Sequence, residues 1–123
     1  MIQDSRFSFY SEPGAKITAS MLKRAGIYPN VNGYNYILHA VDQLIKYGKT
    51  DLKKLFEVIG KTFNVKAKSI ASSINYLTRV FCSNGEYEIG KQMYFFPNRQ
   101  LTSKEMIYLI YDDVKENLKS HSN

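Results

Sequence analysis

The sequence predicts an all-α fold, a bundle of five to six helices that contains a helix-turn-helix, and three observations support it. Apolar residues recur at three- and four-residue spacing in several segments of the 123-residue chain. Turns rich in Gly, Asn and Pro separate these segments. The length suits one domain with its own core. We therefore expect a helical domain over residues 17–119, between an irregular arm (1–16) and a disordered tail (120–123).

The first predicted helix is short and runs from Thr18 to Ala25. Thr18 is expected to cap its N-terminus, and Gly26 to take the left-handed conformation that ends it. Residues 28–33 form a turn by composition, since they include Pro, two Asn and Gly.

The second predicted helix has the clearest amphipathic pattern and ends at Gly48. His39 lies on its polar side and is interpreted as a solvated residue rather than a ligand. The inward stripe consists of Tyr34, Ile37, Leu38, Val41, Leu44 and Ile45.

The third helix is predicted to start at Thr50 as its cap, with Asp51 in the first turn. Its buried stripe consists of Leu52, Leu55, Phe56, Ile59 and Phe63. The fourth helix follows Asn64 and Val65 and runs to about Ser83, before a stop at Asn84-Gly85. Its buried residues are Ala67, Ile70, Ile74, Leu77 and Phe81.

Residues 86–100 allow two interpretations, a short hairpin within 86–96 or an irregular loop that ends at Pro97-Asn98. Thr102 and Glu105 then form a capping box that opens the last helix. The expected inward residues of that helix are Met106, Ile110, Val114 and Leu118. A face for a second copy of the chain, giving a homodimer, could be formed by Met106, Ile107, Tyr111 and Val114.

The junction between the third and fourth helices has the spacing of a helix-turn-helix. Ile59-Gly60 supplies an apolar and then a small residue where two helices cross closely, and Asn64 tolerates a left-handed turn. Val65 is expected to anchor that turn. Plain helical hairpins match the same spacing, so the motif alone does not decide between them.

Positive charge is concentrated in the same region. Residues 49–79 hold seven basic and two acidic residues, so they carry +5 of the chain's net charge of +6, and residues 58–85 hold no acid. This pattern is typical of a polyanion partner, here double-stranded DNA. Candidate base contacts in the major groove are Lys68, Ser69, Ser72, Asn75 and Tyr76, and Lys68 is also placed to bind phosphate. Candidate phosphate contacts are Lys53, Lys54, Lys61, Lys66, Arg79 and Lys91.

Several stretches together resemble the DNA-binding effector domain of the stage-zero sporulation response regulator family. They are Gly26-Ile27-Tyr28-Pro29, Gly33-Tyr34-x-Tyr36, Ile59-Gly60-Lys61-Thr62-Phe63-Asn64, the helix from Ala67 to Gly85, and Leu101-Thr102-Ser103-Lys104-Glu105. The resemblance covers about five-sixths of the chain. It implies about six helices, operator binding as paired domains, and contact with RNA polymerase and its sigma factor.

Three departures from the family limit what the resemblance implies. The family's regulators carry a receiver domain, whereas only a short arm precedes the matched region here, so phospho-control is not carried over. The family reads bases with an acidic residue and an arginine where this chain has Ala71 and Ser72, and a further arginine aligns with Asn75. A different operator or weaker base discrimination is therefore expected. The segment from 85 to 101 is also shorter than the family's.

One alternative architecture and one alternative function remain open. A winged helix-turn-helix would use residues 86–96 as the wing, with Lys91 near its tip. A protein-interaction module would use the small, neutral Ala71–Ser73 face, with tyrosine anchors at Tyr76, Tyr87, Tyr94, Tyr108 and Tyr111.

Enzymatic activity, a metal or a cofactor is not expected. Asp112, Asp113 and Glu116 have no histidine or phosphate loop near them in sequence, and Cys82 is interpreted as a small core residue. No apolar run reaches the roughly 20 residues that a membrane-spanning helix needs, and no signal peptide is recognisable, so we expect a cytoplasmic protein.

Overall fold

The computed structural model describes residues 12–83, 86–89, 92–95 and 100–121 of the chain. Within these residues, five helices and one two-stranded antiparallel sheet follow one another. The elements are α1 (Pro13–Arg24), α2 (Tyr34–Tyr47), α3 (Leu52–Phe63), α4 (Ala67–Cys82), β1 (Glu86–Ile89), β2 (Gln92–Phe95) and α5 (Ser103–His121). The prediction of a helical bundle is confirmed. Of the two interpretations of residues 86–100, the hairpin is the one observed, with Tyr87 opposite Tyr94.

A single core holds the five helices together, and α2 lies at its centre in contact with all four others. The predicted stripes of α2, α3 and α4 face this core, although Ile45, Leu52, Phe63 and Ala67 are only partly buried. Burial of each large aliphatic side chain contributes about 1.5–3 kcal/mol to stability. The fully buried large side chains include Leu22, Ile27, Ile37, Leu44, Ile59, Ile70, Ile74, Leu77, Phe81, Met106, Ile107 and Ile110.

The start of α1 differs from the prediction. The helix begins at Pro13, so the last four residues of the predicted arm, 13–16, are helical. Proline suits a first helical position because its missing N–H would have no intrahelical partner there. Thr18 is therefore not a cap. It is buried inside the helix, and its hydroxyl donates to the Gly14 carbonyl at 2.9 Å.

Two other helix ends also bear on the sequence prediction. The cap of α3 is Asp51 rather than Thr50, since the Asp51 carboxylate accepts from the Lys54 backbone N–H at 2.8 Å. The capping box of α5 is confirmed. The Thr102 N–H donates to the Glu105 carboxylate at 2.9 Å, and the Glu105 N–H donates to the Thr102 hydroxyl at 3.1 Å.

The predicted arm and the predicted tail can be compared with the structure only in part. The last helix continues through His121, two residues into the predicted tail. Residues 1–11 of the predicted arm and residues 122–123 of the tail lie outside the described residues, as do the predicted helix stop at Asn84-Gly85 and the loop end at Pro97-Asn98.

The face of α5 that was predicted to meet a second copy is not available. Met106, Ile107 and Val114 are completely buried and Tyr111 is 4% exposed, because this face packs against the rest of the same chain. The prediction of this dimer face is therefore wrong. No helix in the described ranges combines the length and apolarity that crossing a membrane requires.

The prediction for His39 is corrected, whereas Cys82 packs against the core as interpreted, although it is only partly buried. His39 is half-buried rather than solvated, and its ring packs edge-on against Phe63 with ring centroids 4.9 Å apart. The Cys82 sulfur accepts a hydrogen bond from the Leu101 backbone N–H at 3.3 Å.

Candidate functional site

A three-residue turn, 64–66, joins α3 to α4. Asn64 adopts the predicted left-handed conformation, with φ 57° and ψ 47°. The Val65 N–H donates to the Gly60 carbonyl at 2.9 Å. The Val65 side chain is 37% exposed, so it does not anchor the turn as predicted, and the backbone hydrogen bond does so instead.

Gly60 is required by this geometry. A Cβ atom at Gly60 would lie 2.6 Å from the Val65 carbonyl oxygen, closer than real contacts allow. The small residue lets the end of α3 approach the turn, and this approach fixes the direction in which α4 leaves. The sequence requirement for a small residue at this position is thus confirmed.

The polar face of α4 points away from the core. Helical periodicity turns Ile70, Ile74, Leu77 and Phe81 inward, where each is fully buried. The predicted base-contacting residues lie on the other side, and Tyr76 is 49% exposed. All six polar residues of this face are exposed, namely Lys68, Ser69, Ser72, Asn75, Tyr76 and Arg79.

Further exposed basic side chains lie on α3, in the turn and in the first turn of α4. Lys53, Lys54 and Lys61 are exposed on α3, and Lys66 lies at the N-terminus of α4 beside Lys68. The first turn of α4 has no acidic residue, so the partial positive charge of the helix N-terminus adds to these cations. Lys91, also predicted to contact phosphate, lies outside the described residues.

Sequence reasoning missed a loop that lies beside the same face. Asn30, Val31 and Asn32 form one wall of an open cleft of about 550 Å³, whose other wall is Ser72, Ser73 and Tyr76 of α4. The loop is held close by Gly33, where a Cβ atom would lie 2.7 Å from the Ser73 carbonyl oxygen. Gly33 has φ +94°, and this glycine is the sequence signal that could have indicated a close approach.

A second missed contact joins α4 to α5. The Ser103 hydroxyl donates to the Oδ1 atom of Asn75. The Ser103 oxygen also lies 3.3 Å from the hydroxyl of the buried Thr78, which itself donates to the Ile74 carbonyl at 2.8 Å. Nothing in the local sequence of α4 indicates this bond, because Ser103 is 28 residues away along the chain.

The acidic residues of α5 do not form a metal site. Among the described residues, no three or more His, Cys, Asp or Glu side chains come together in a way that could hold a metal ion. Burial raises the pKa of Asp113, while the Arg24 charge and a hydrogen bond from Asn117 act in the opposite direction. The arrangement is that of a partly buried carboxylate at a helix contact.

Two of the five tyrosines considered as partner anchors are engaged within the chain. Tyr111 is buried, and the hydroxyl of the partly buried Tyr108 donates to the Thr50 carbonyl at 2.7 Å. Tyr76 is exposed, whereas the side chains of Tyr87 and Tyr94 lie outside the described part of the chain.

The comparisons with known proteins add no family to this description: no family model, curated protein or solved structure matches the chain.

Proposed function

We propose that the chain binds double-stranded DNA, with α4 as the recognition helix in the major groove and α3, turn and α4 as the helix-turn-helix. The observation that carries this proposal is the exposed polar face of α4, which has cations at both ends and no acidic residue. An α-helix fits the width of the major groove, and base edges there offer hydrogen-bonding groups to its side chains.

The residues divide into two roles in this proposal. Lys66, Lys68 and Arg79 neutralise phosphates near the recognition helix, and the exposed lysines of α3 are the further phosphate contacts. Ser69, Ser72, Asn75 and Tyr76 reach base edges as neutral hydrogen-bonding groups. Because only the asparagine among these side chains can make two hydrogen bonds to one base, affinity depends mainly on phosphate contacts and sequence discrimination is moderate.

The family resemblance extends this proposal to transcription. In that case the chain regulates genes in the cytoplasm, binds its operator as paired domains and contacts RNA polymerase through its sigma factor. Because the α5 face is buried, pairing must use another surface. The hairpin of β1 and β2 is the candidate for a wing, and it lies against α1.

The salt dependence of DNA affinity tests the proposal. Fluorescence anisotropy with a labelled duplex should show log affinity falling linearly with log salt, by a slope of about 0.9 for each neutralised phosphate. The double variant K66E/K68E should lower both the affinity and the slope. K16E/K23E is the matched control, because it changes the net charge equally at exposed positions of α1.

The outcome distinguishes DNA binding from the alternative of a protein-interaction module. Equal effects of the two double variants would mean that only overall charge matters, and the proposal would fail. Weak affinity without a steep salt slope would favour the interaction module on the same scaffold.

A further inference from the structure

The amide of Asn75 is the one neutral group of the exposed α4 face with a described hydrogen bond to another helix. Ser103 donates to its Oδ1 atom, so the carbonyl side of the amide faces α5. The Nδ2 amino group is attached to the same carbon of the planar amide, so the bond to Oδ1 also fixes the direction of the amino group. An asparagine side chain held in this way offers its N–H donors to a partner, while one of the two lone pairs of its carbonyl oxygen is occupied.

We propose that Ser103 is a positioning residue that sets the base preference of Asn75 by engaging its carbonyl oxygen. This inference rests on the proposed function. A free asparagine pairs with adenine through two bonds, because it donates to N7 and accepts from the N6 amino group. With Oδ1 bonded to Ser103 and turned toward α5, its second lone pair is poorly placed for a base, so Asn75 acts mainly as a donor, and guanine is the purine that offers acceptors alone, at N7 and O6.

Ser103 is placed firmly enough for this role. It is the first residue of α5 and lies inside the capping box, between Thr102 and Glu105. The preceding Leu101 is buried, and its N–H bonds to Cys82 at the end of α4. Both ends of the Ser103–Asn75 bond therefore belong to regular helices that are packed on one core, and the bond keeps one orientation of the amide.

The experiment selects bound sequences from random duplex DNA with the full chain and then measures competition among all four base pairs at each position. The N75A variant identifies the base pair that Asn75 contacts, because the preference disappears there alone. At that position we expect the wild type to prefer guanine over adenine by about fivefold or more. S103A should abolish this preference or reverse it toward adenine, since the amide is no longer held with its carbonyl toward α5 and can turn to accept from the N6 amino group.

Two further variants separate positioning from a general structural effect. S103T keeps the hydroxyl and should keep the guanine preference. N75D keeps an oxygen for Ser103 but presents a second acceptor, so it should prefer cytosine, whose N4 amino group donates. Thermal unfolding of each variant checks that a changed base preference is not a consequence of unfolding. If S103A unfolds, S103T and N75D test the inference.

Each outcome has one meaning. A wild-type preference for adenine, or a guanine preference that survives in S103A, overturns this inference and leaves DNA binding intact. An N75A variant with unchanged preference at every position also overturns it. If no duplex is selected at all, the proposed function fails and the inference fails with it.

Discussion

Replacement of Gly60 by alanine should destabilise the protein, although alanine is the better helix former. Alanine gains about 1 kcal/mol over glycine inside a helix. At Gly60, however, the new methyl group would lie 2.6 Å from the Val65 carbonyl oxygen, which belongs to backbone and cannot swing aside. Shifting the turn costs about 1–3 kcal/mol in overpacking.

The same shift weakens a hydrogen bond. The Val65 N–H bonds to the Gly60 carbonyl, and losing this bond costs about 1 kcal/mol. Steric and hydrogen-bond costs together exceed the gain in helix propensity, so G60A should lower the free energy of unfolding by about 2 kcal/mol. For a chain of this size the melting temperature should fall by about 5–10 °C.

Gly14 provides the matched control, because it is also a helical glycine. A Cβ atom there would make ordinary contacts, at 3.5 Å to Ile45 and 3.8 Å to Leu118. G14A should therefore raise stability by about 0.5 kcal/mol. Differential scanning calorimetry or urea unfolding measures both variants. A melting temperature of G60A at or above the wild type would refute the reasoning, as would equal shifts in the two variants.

Three other variants test single contacts. D51A should lower the free energy of unfolding by about 1 kcal/mol through loss of the α3 cap, and T50A by clearly less; equal losses in urea unfolding would contradict the assignment of Asp51 as the cap. N64A should cost about 1 kcal/mol because its φ is 57°, while N64G should cost little; a neutral N64A would argue against the left-handed turn. D113N should be more stable than the wild type at pH 7. Burial raises the folded pKa of Asp113 above its ordinary value of 3.8, so ionisation of this carboxyl group destabilises the fold. The protonated carboxyl group contributes its full stability below pH 3.8, and this stability is lost as the pH rises through the folded pKa. The difference between D113N and the wild type should therefore shrink on acidification toward pH 3, and a constant difference would show that ionisation of Asp113 plays no part.

Helical periodicity predicted most of the fold because the apolar spacing of α2 to α5 is regular. It did not predict the start of α1, because residues 1–16 were interpreted as an irregular arm although Pro13 is of the type favoured at a first helical position. It also assigned the cap of α3 to Thr50 rather than Asp51, because both adjacent residues are of capping type. Tertiary structure makes the difference, since Tyr108 bonds the Thr50 carbonyl while Asp51 caps the helix.

The exposed face of the candidate site was predictable for the same reason, because it is the complement of a buried stripe. Its surroundings were not. The approach of Asn30 and Asn32 depends on a glycine contact between distant segments, and the bond from Ser103 depends on how α5 packs. Ile107 and Tyr111 were likewise assigned to a partner surface because the buried side of α5 is wider than a single stripe. DNA binding itself stays a prediction.

The attachment of α5 at both ends of the α3–α4 pair limits how this pair can be used in isolation. Tyr108 holds the segment that leads into α3, and Ser103 and Leu101 hold the middle and the end of α4. A peptide of residues 49–83 would leave Ile70, Ile74, Leu77 and Phe81 without much of their apolar cover. Helices α3 and α4 are consequently not an independent unit, and grafting them onto another scaffold would require α5 to be included.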